Sequence, residues 1–166
     1  CDETTAVFTG NTITNNAAIL MRDDGYCYCL SRSAVVQITP PTSVNSHSLT
    51  FSNNHMSGNT GDISYLVLTG QGDPDHNDNP TSYTIENNTF ADTQTTYLFQ
   101  TPKRSYTPPT VTVTNNWWGT TNTTDIDSKI YDWNDDLDFR TVTYAPILTA
   151  PATSTTPSPP QNVAAQ

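Results

Sequence analysis

A short motif recurs four times along this 166-residue chain and constrains its fold more than any other feature. Each copy has an apolar residue, any residue, Gly or Asn, then Asn, any residue and a second apolar residue. We number the copies motifs 1 to 4; they occupy residues 8–13 (FTGNTI), 51–56 (FSNNHM), 85–90 (IENNTF) and 113–118 (VTNNWW). Successive motifs begin 43, 34 and 28 residues apart, which is typical of a coil whose loops tolerate insertions.

The residues that lead into the motifs alternate between apolar and polar, as in 49–51 (LTF) and 111–113 (VTV). This period of two predicts β-strands. A second apolar stretch follows at 18–20, 66–68 and 97–99, and a third strand is expected at 35–38. Two or three short strands per repeat predict an all-β fold, a parallel β-helix of about four rungs. The alternative is a β-sandwich with Asn-Asn hairpin turns.

The fourth position of each motif is always asparagine. A short amide side chain tolerates a left-handed turn and can hydrogen-bond to its equivalent in the next rung. We therefore predict an internal asparagine ladder and a parallel stack of the first apolar residues. The ladder would consist of Asn11, Asn54, Asn88 and Asn116, and the stack of Phe8, Phe51, Ile85 and Val113.

The charge balance excludes several classes of partner. Sixteen acidic residues against six basic ones give a net charge of −10, which argues against binding to nucleic acid or anionic lipid. No stretch approaches the roughly 20 apolar residues of a membrane span. The abundance of Thr and Asn, the scarcity of Lys and a pI near 4.2 favour a secreted or cell-surface protein.

Three segments resemble a known group of proteins. Residues 8–20 (FTGNTITNNAAIL) are similar to rungs of right-handed parallel β-helix proteins of the pectin-lyase-like group. The order NNWWG (115–119), IDSKIYDWNDD (126–136) and YAPIL (144–148) resembles the C-terminal end of NosD-like secreted β-helix proteins. The resemblance covers residues 5–148 and implies a last rung, a short helix and a closing strand. We expect Asp125 to cap this helix, which would run through Tyr131 or Asp132 with Asp127 near its positive end.

Aromatic residues are concentrated in the same C-terminal region, and two interpretations remain open for them. They would close the open end of the coil, or they would form a platform on which sugar rings stack. The residues concerned are Trp117, Trp118, Tyr131, Trp133 and Phe139.

The predicted coil domain comprises residues 1–148, and residues 149–166 read as a Thr/Ser/Pro-rich linker or tail. The closing PPQNVAA resembles the entry to a fibronectin type III module, which would make the protein a multidomain extracellular polypeptide. The tail would also be suited to O-linked glycans.

The N-terminal side of the predicted coil has no comparable cap. Strand-like sequence begins five or six residues from Cys1, so the first rung is expected to present an exposed edge. Either further rungs precede this segment, or a second copy or a neighbouring domain covers the edge, which would make the chain a filament subunit. An N-terminal Cys1 predicts a processed product or a piece of a longer protein; a lipid-modified cysteine is a further alternative.

The three cysteines, Cys1, Cys27 and Cys29, cannot all pair with one another. Cys27 and Cys29 would point to the same face of a strand, where either could bond to Cys1. A disulfide, a metal site and buried free thiols remain open.

One loop resembles a calcium site. Asp73, Asp75, Asn77 and Asn79 alternate as in the start of an EF-hand loop, but the glycine and the final glutamate of that loop are absent. Weak calcium binding and a solvated acidic loop are the two interpretations; no cofactor is required by either.

Two glycosylation sequons occur, at Asn87 and Asn122. Asn122 follows the NNWWG segment and is expected to be the more exposed acceptor.

The function predicted from these features is a non-catalytic extracellular structural, assembly or adhesion module, with glycans as further partners. The alternative is a polysaccharide-binding or polysaccharide-degrading β-helix protein, for which Arg22, Asp23 and Asp24 would be the residues to test. The basic residues are scattered, and two adjacent carboxylates on a strand face opposite ways, so no catalytic residue is predicted. Outward threonines such as Thr9 and Thr112 partly resemble an ice-binding array.

Overall fold

The computed structural model describes residues 3–17, 34–38, 46–64, 67–68, 82–101 and 110–153. Within these ranges the chain is all-β apart from one five-residue helix, which confirms the all-β prediction. The strands are β1 (Glu3–Thr9), β2 (Thr12–Thr14), β3 (Gln37–Ile38), β4 (Ser46–Ser52), β5 (His55–Ser57), β6 (Thr60–Ile63), β7 (Val67–Leu68), β8 (Ser82–Glu86), β9 (Thr89–Ala91), β10 (Gln94–Tyr97), β11 (Phe99–Gln100), β12 (Val111–Thr112), β13 (Ile130–Tyr131) and β14 (Val142–Thr143); the helix is α1 (Thr123–Asp127).

The strands of the described ranges form small parallel sheets. Their orders are β1-β4-β8, β2-β5-β9, β6-β10, β3-β7-β11-β13 and β12-β14, and all pairs among these strands run parallel. Parallel neighbours cannot be joined by a tight hairpin, because the chain must cross back before the next strand begins. The motifs therefore do not form the hairpin turns of the alternative, a β-sandwich.

The register between neighbouring strands of each sheet brings the motifs side by side. Phe8 pairs with Phe51, which pairs with Ile85. The second apolar positions are aligned in the same way, since Met56 pairs with both Ile13 and Phe90. Because parallel neighbours at the same register point to the same face, the apolar residues form one core. Its fully buried members from motifs 2 and 3 are Phe51, Met56, Ile85 and Phe90.

The variable repeat length has a local explanation. Ala17 pairs with Thr60, and Ala34 pairs with Ile63. Residues 18–33 therefore lie between two positions whose partners are separated only by residues 61 and 62. The first repeat therefore has 14 more residues than the second between these two pairings, and both pairings are kept.

The secondary strands lie near the predicted positions but are shorter. Val67–Leu68 forms β7 and Phe99–Gln100 forms β11, whereas the strand predicted at 35–38 is reduced to Gln37–Ile38. The apolar stretch at 18–20 lies outside the described residues.

The helix is where the sequence-based boundaries were wrong. Its N-cap is Asn122, not Asp125, because the Asn122 side chain accepts the backbone N–H of Thr124. Asp125 lies in the first turn, where its charge meets the positive end of the helix dipole. The helix ends at Asp127, well before Tyr131, because Ile130–Tyr131 is used as a strand beside Phe99–Gln100. Asp127 therefore lies at the negative end of the helix dipole, and its predicted place near the positive end is wrong.

Candidate functional site

The four motif asparagines are joined by one row of side-chain hydrogen bonds, which runs from motif 1 to motif 4. The Nδ2 atom of each donates to Oδ1 of the next: Asn11 to Asn54 at 2.9 Å, Asn54 to Asn88 at 3.1 Å and Asn88 to Asn116 at 2.9 Å. Asn54, Asn88 and Asn116 are at most 1% exposed. The sequence singled out these four residues, and the structure brings all four together.

Each buried asparagine of this row also bonds to the main chain of its neighbours. Its Oδ1 accepts the backbone N–H of the preceding row member, as Asn88 does from Asn54 at 3.0 Å. Its Nδ2 donates to the carbonyl oxygen at the start of the preceding motif, as Asn88 does to Phe51 at 2.9 Å. These buried polar atoms are thus satisfied from both sides, which holds adjacent motifs in one register.

The left-handed turn belongs to a different residue from the one predicted. Asn53, Asn87 and Asn115 have φ of 56°, and Gly10 takes the same place in motif 1 with φ of 69°. The row asparagines are not among the residues with positive φ. The Asn-Asn pair therefore divides two tasks: the first residue turns the chain and the second bonds across motifs.

A second polar row runs parallel to the first and was not predicted. Asn16 donates through Nδ2 to Asn59 Oδ1 at 3.1 Å, and Asn59 donates to Asp92 Oδ2 at 3.0 Å. Asn59 also bonds through Nδ2 to the Ile13 carbonyl at 2.9 Å. The signal was present in the sequence, because Asn16 and Asn59 each follow a row asparagine by five residues. Asp92 follows Asn88 by only four, which obscured the pattern.

Both rows end at one edge, which we call the open edge: the free side of β1 with Asn11 and Asn16. Among the described residues, β1 pairs only with β4, and no strand occupies its other side. Val7 and Phe8 are 60% and 40% exposed there. Asn11 and Asn16 are exposed, and no described residue donates a hydrogen bond to either side-chain oxygen.

The opposite end is closed by aromatic and polar packing. Trp118 is 3% exposed, with its ring centroid 4.7 Å from that of Phe90 and 6.3 Å from that of Tyr144. Trp118 is therefore not available to a sugar ring. The ring centroid of Tyr131 lies 5.2 Å from that of Tyr97 and 5.0 Å from that of Phe139, both in edge contacts, while Trp117 and Trp133 are half-buried.

The segment after β14 extends this closure along the turns of motifs 3 and 4. Asn115 N–H donates to the Pro146 carbonyl at 2.6 Å, and Leu148 N–H donates to the Asn116 carbonyl at 3.0 Å. Ala152 N–H then reaches Thr89 Oγ1 at 2.9 Å. Ala152, four residues into the predicted linker, is thus hydrogen-bonded to β9.

Tyr144 and Asp127 link the closing strand to the helix. The hydroxyl of Tyr144 donates to Asp127 Oδ1 at 2.7 Å. Burial, this hydrogen bond and the carboxylate charge together raise the pKa of Tyr144 from 10.0 to about 12. Since the neutral phenol is favoured only in the folded chain, its stabilising contribution is complete below pH 10 and is lost as pH rises toward about 12.

We expect the Tyr144 ring resonances in an NMR titration to shift only near pH 12. Asp127→Asn removes the carboxylate charge, so it should lower the pKa of Tyr144, although burial should keep it above 10.0. A Tyr144 that titrates at 10.0 in the folded chain would contradict the hydrogen bond to Asp127.

The two glycosylation candidates differ in setting. Asn122 is exposed at the start of α1, and its Oδ1 is engaged with Thr124 N–H at 3.0 Å. Asn87 is half-buried, has positive φ and lines a groove of about 350 Å³ with Asn53 and residues 148–153. Asn122 remains the better predicted acceptor.

Several predicted site residues lie outside the described residues: the calcium candidates Asp73, Asp75, Asn77 and Asn79, the cysteines Cys1, Cys27 and Cys29, and Arg22, Asp23 and Asp24. Within the ranges that the structure does describe, no group of three or more His, Cys, Asp or Glu side chains is placed to hold a metal ion.

Comparison with known proteins adds no identification: no family model, curated protein or solved structure matches the chain. In the described part of the chain, no helix has the length and apolar character needed to cross a membrane.

Proposed function

We propose that the chain is a right-handed parallel β-helix that serves as a non-catalytic extracellular structural module, joining a β-helical rung of a second protein molecule at its open edge. The observation that carries this proposal is the difference between the two ends. Within the described ranges, one end presents a seven-residue strand that pairs on one side only, whereas the other is covered by aromatic side chains and the segment after β14.

The coil itself is supported by the parallel register. Equivalent positions of motifs 1 to 3 pair strand by strand on two separate sheets, and the asparagine row continues this order to motif 4. A chain that returns to the same register after each repeat is most simply a coil of stacked rungs. The order NNWWG, IDSKIYDWNDD and YAPIL, with its resemblance to NosD-like proteins, agrees with a C-terminal rung followed by a closing segment.

The open edge is suited to association rather than to solvent. An unpaired strand edge carries main-chain donors and acceptors that template the pairing of a further strand. At the other end, β14 contributes only two residues, Val142–Thr143, and the Asn116 carbonyl is already bonded to Leu148. Growth is therefore expected at one end alone, which favours a limited assembly over the filament that was one of the alternatives from sequence.

Self-association of the purified 166-residue chain tests this surface. In the absence of a partner rung, two exposed edges should meet about a twofold axis, with their β1 strands antiparallel, and form a dimer as concentration rises. Sedimentation velocity and light scattering would detect this dimer. Val7→Lys places a charge on the edge strand and should weaken association by about tenfold or more.

Leu137→Lys is the matched control, because Leu137 is 62% exposed, close to the 60% of Val7, but lies away from the open edge. It should leave association unchanged. A chain that stays monomeric at all concentrations, or that responds equally to both lysines, would contradict an association surface at β1.

A further inference from the structure

We infer that the open edge is selective for a parallel rung that carries asparagine, and not aspartate, at both row positions. The inference rests on the proposed function, since it concerns the partner of the same edge. It follows from the direction of the hydrogen bonds in the two rows.

The hydrogen bonds to side-chain oxygens run in one direction in both rows. Asn11 donates to Asn54 Oδ1 through its backbone N and its Nδ2, each at 2.9 Å. Asn16 donates to Asn59 Oδ1 in the same manner, at 2.9 and 3.1 Å. Each earlier repeat is therefore the donor, and each later repeat is the acceptor.

A second bond, from Nδ2 to a main-chain carbonyl, runs in the opposite direction and recurs in both rows. Asn54 Nδ2 returns a bond to the Phe8 carbonyl at 3.1 Å, and Asn59 Nδ2 returns one to the Ile13 carbonyl at 2.9 Å. In both rows the carbonyl belongs to the residue three positions before the donor-side asparagine. A rung added at the open edge would thus need an asparagine above Asn11 and above Asn16, with an accepting carbonyl three residues earlier.

Asp92 shows why the side chain that meets the open edge has to be a donor. Asp92 is 3% exposed and occupies the acceptor end of the second row, where it receives the Asn59 backbone N–H at 2.8 Å and Asn59 Nδ2 at 3.0 Å. A carboxylate fits there because it only accepts. In a rung added above Asn11 or Asn16, an aspartate would instead place its carboxylate against the Oδ1 acceptor of that asparagine. It has no Nδ2 proton to donate.

The same geometry predicts the rest of the partner rung. An apolar residue would lie over Phe8, whose ring centroid already lies 6.2 Å from that of Phe51. A Gly or Asn would precede the first asparagine, because Gly10 and Asn53 have positive φ at that place. The partner is therefore a rung with the motif of this chain and a second asparagine five residues later.

A defined probe is the 166-residue chain with a second copy of residues 3–45 inserted directly before residue 3. This copy has 43 residues, the same interval that separates Glu3 from its partner Ser46. The added rung should pair along β1, raise the midpoint of thermal unfolding, and slow hydrogen exchange of the β1 N–H groups that face the open edge by at least about tenfold.

Two variants of this fusion test the selectivity, in which the added copies of Asn11 and Asn16 are both changed to aspartate or both to alanine. We expect the protection of β1 to be largest with asparagine, smaller with alanine and lost with aspartate. Equal protection by all three rungs would overturn the selectivity while leaving the proposed function standing. No protection of β1 by any of them, with β4 and β8 still protected, would overturn both.

Discussion

Replacing Asn88 by alanine should lower the free energy of unfolding by about 4 kcal/mol, since each buried polar group left without a partner costs about 1–3 kcal/mol. The Asn88 side chain holds the Asn54 backbone N–H and the Phe51 carbonyl, and it bonds to Asn116 as well. Alanine removes these bonds in a site that water does not reach, because Asn88 is fully buried. Urea unfolding followed by circular dichroism measures the change.

Asn11→Ala is the matched control, because it removes the same side chain from the exposed end of the same row. Asn54 Oδ1 still receives the Asn11 backbone N–H, and Asn54 Nδ2 still reaches the Phe8 carbonyl. The expected loss is about 1 kcal/mol or less. Equal losses for the two substitutions would mean that the row contributes no more than an exposed asparagine does.

The second large effect is expected for Phe51→Ala, at about 3–5 kcal/mol of unfolding free energy. Phe51 is fully buried between its register partners Phe8 and Ile85, so alanine leaves a cavity at the centre of the apolar stack. The same urea titration measures the change. A lower midpoint with an unaltered slope would indicate that stability is lost while the surface exposed on unfolding stays the same.

Phe8→Ala provides the comparison within one column. Phe8 stacks on Phe51 at 6.2 Å between ring centroids, but it is 40% exposed at the open edge. Because much of its surface is already in water, its removal should cost about 1 kcal/mol. If Phe8→Ala is as costly as Phe51→Ala, then Phe8 is covered and the open edge is not where we place it.

Much of the arrangement could be predicted because one sequence motif encodes two physical requirements. A left-handed turn residue followed by an amide that bonds across repeats leaves a recurrent Gly-Asn or Asn-Asn pair, and the flanking apolar residues reveal the strand period. What the motif did not reveal is which residue of the pair meets which requirement. The two residues of an Asn-Asn pair are chemically identical, so their roles differ only through backbone conformation. Asn53 and Asn87 have positive φ because the chain turns there.

The second row escaped prediction because its third member breaks both spacing and residue type. Asp92 replaces an amide by a carboxylate and stands one residue early. Only the parallel register shows that it occupies the place below Asn59. An acceptor can end the row without a donor group, so the substitution is physically tolerated although it interrupts the pattern.

The helix boundaries failed for a comparable reason. Asn122 and Asp125 are both suitable cap residues, so local sequence does not choose between them. The choice depends on tertiary pairing: Ile130–Tyr131 must remain extended beside Phe99–Gln100, which stops the helix at Asp127 and leaves room for a start after Asn122.

The most direct test of the parallel coil is an NMR measurement of the strand order in the 166-residue chain, through nuclear Overhauser contacts between backbone protons. A coil of parallel rungs predicts contacts that link Phe51 to both Phe8 and Ile85, and Leu49 to Tyr83, with sequence numbers rising together along each pair of strands. Contacts in which the numbers rise along one strand and fall along its neighbour would indicate antiparallel hairpins, and they would contradict both the coil and the open edge at its end.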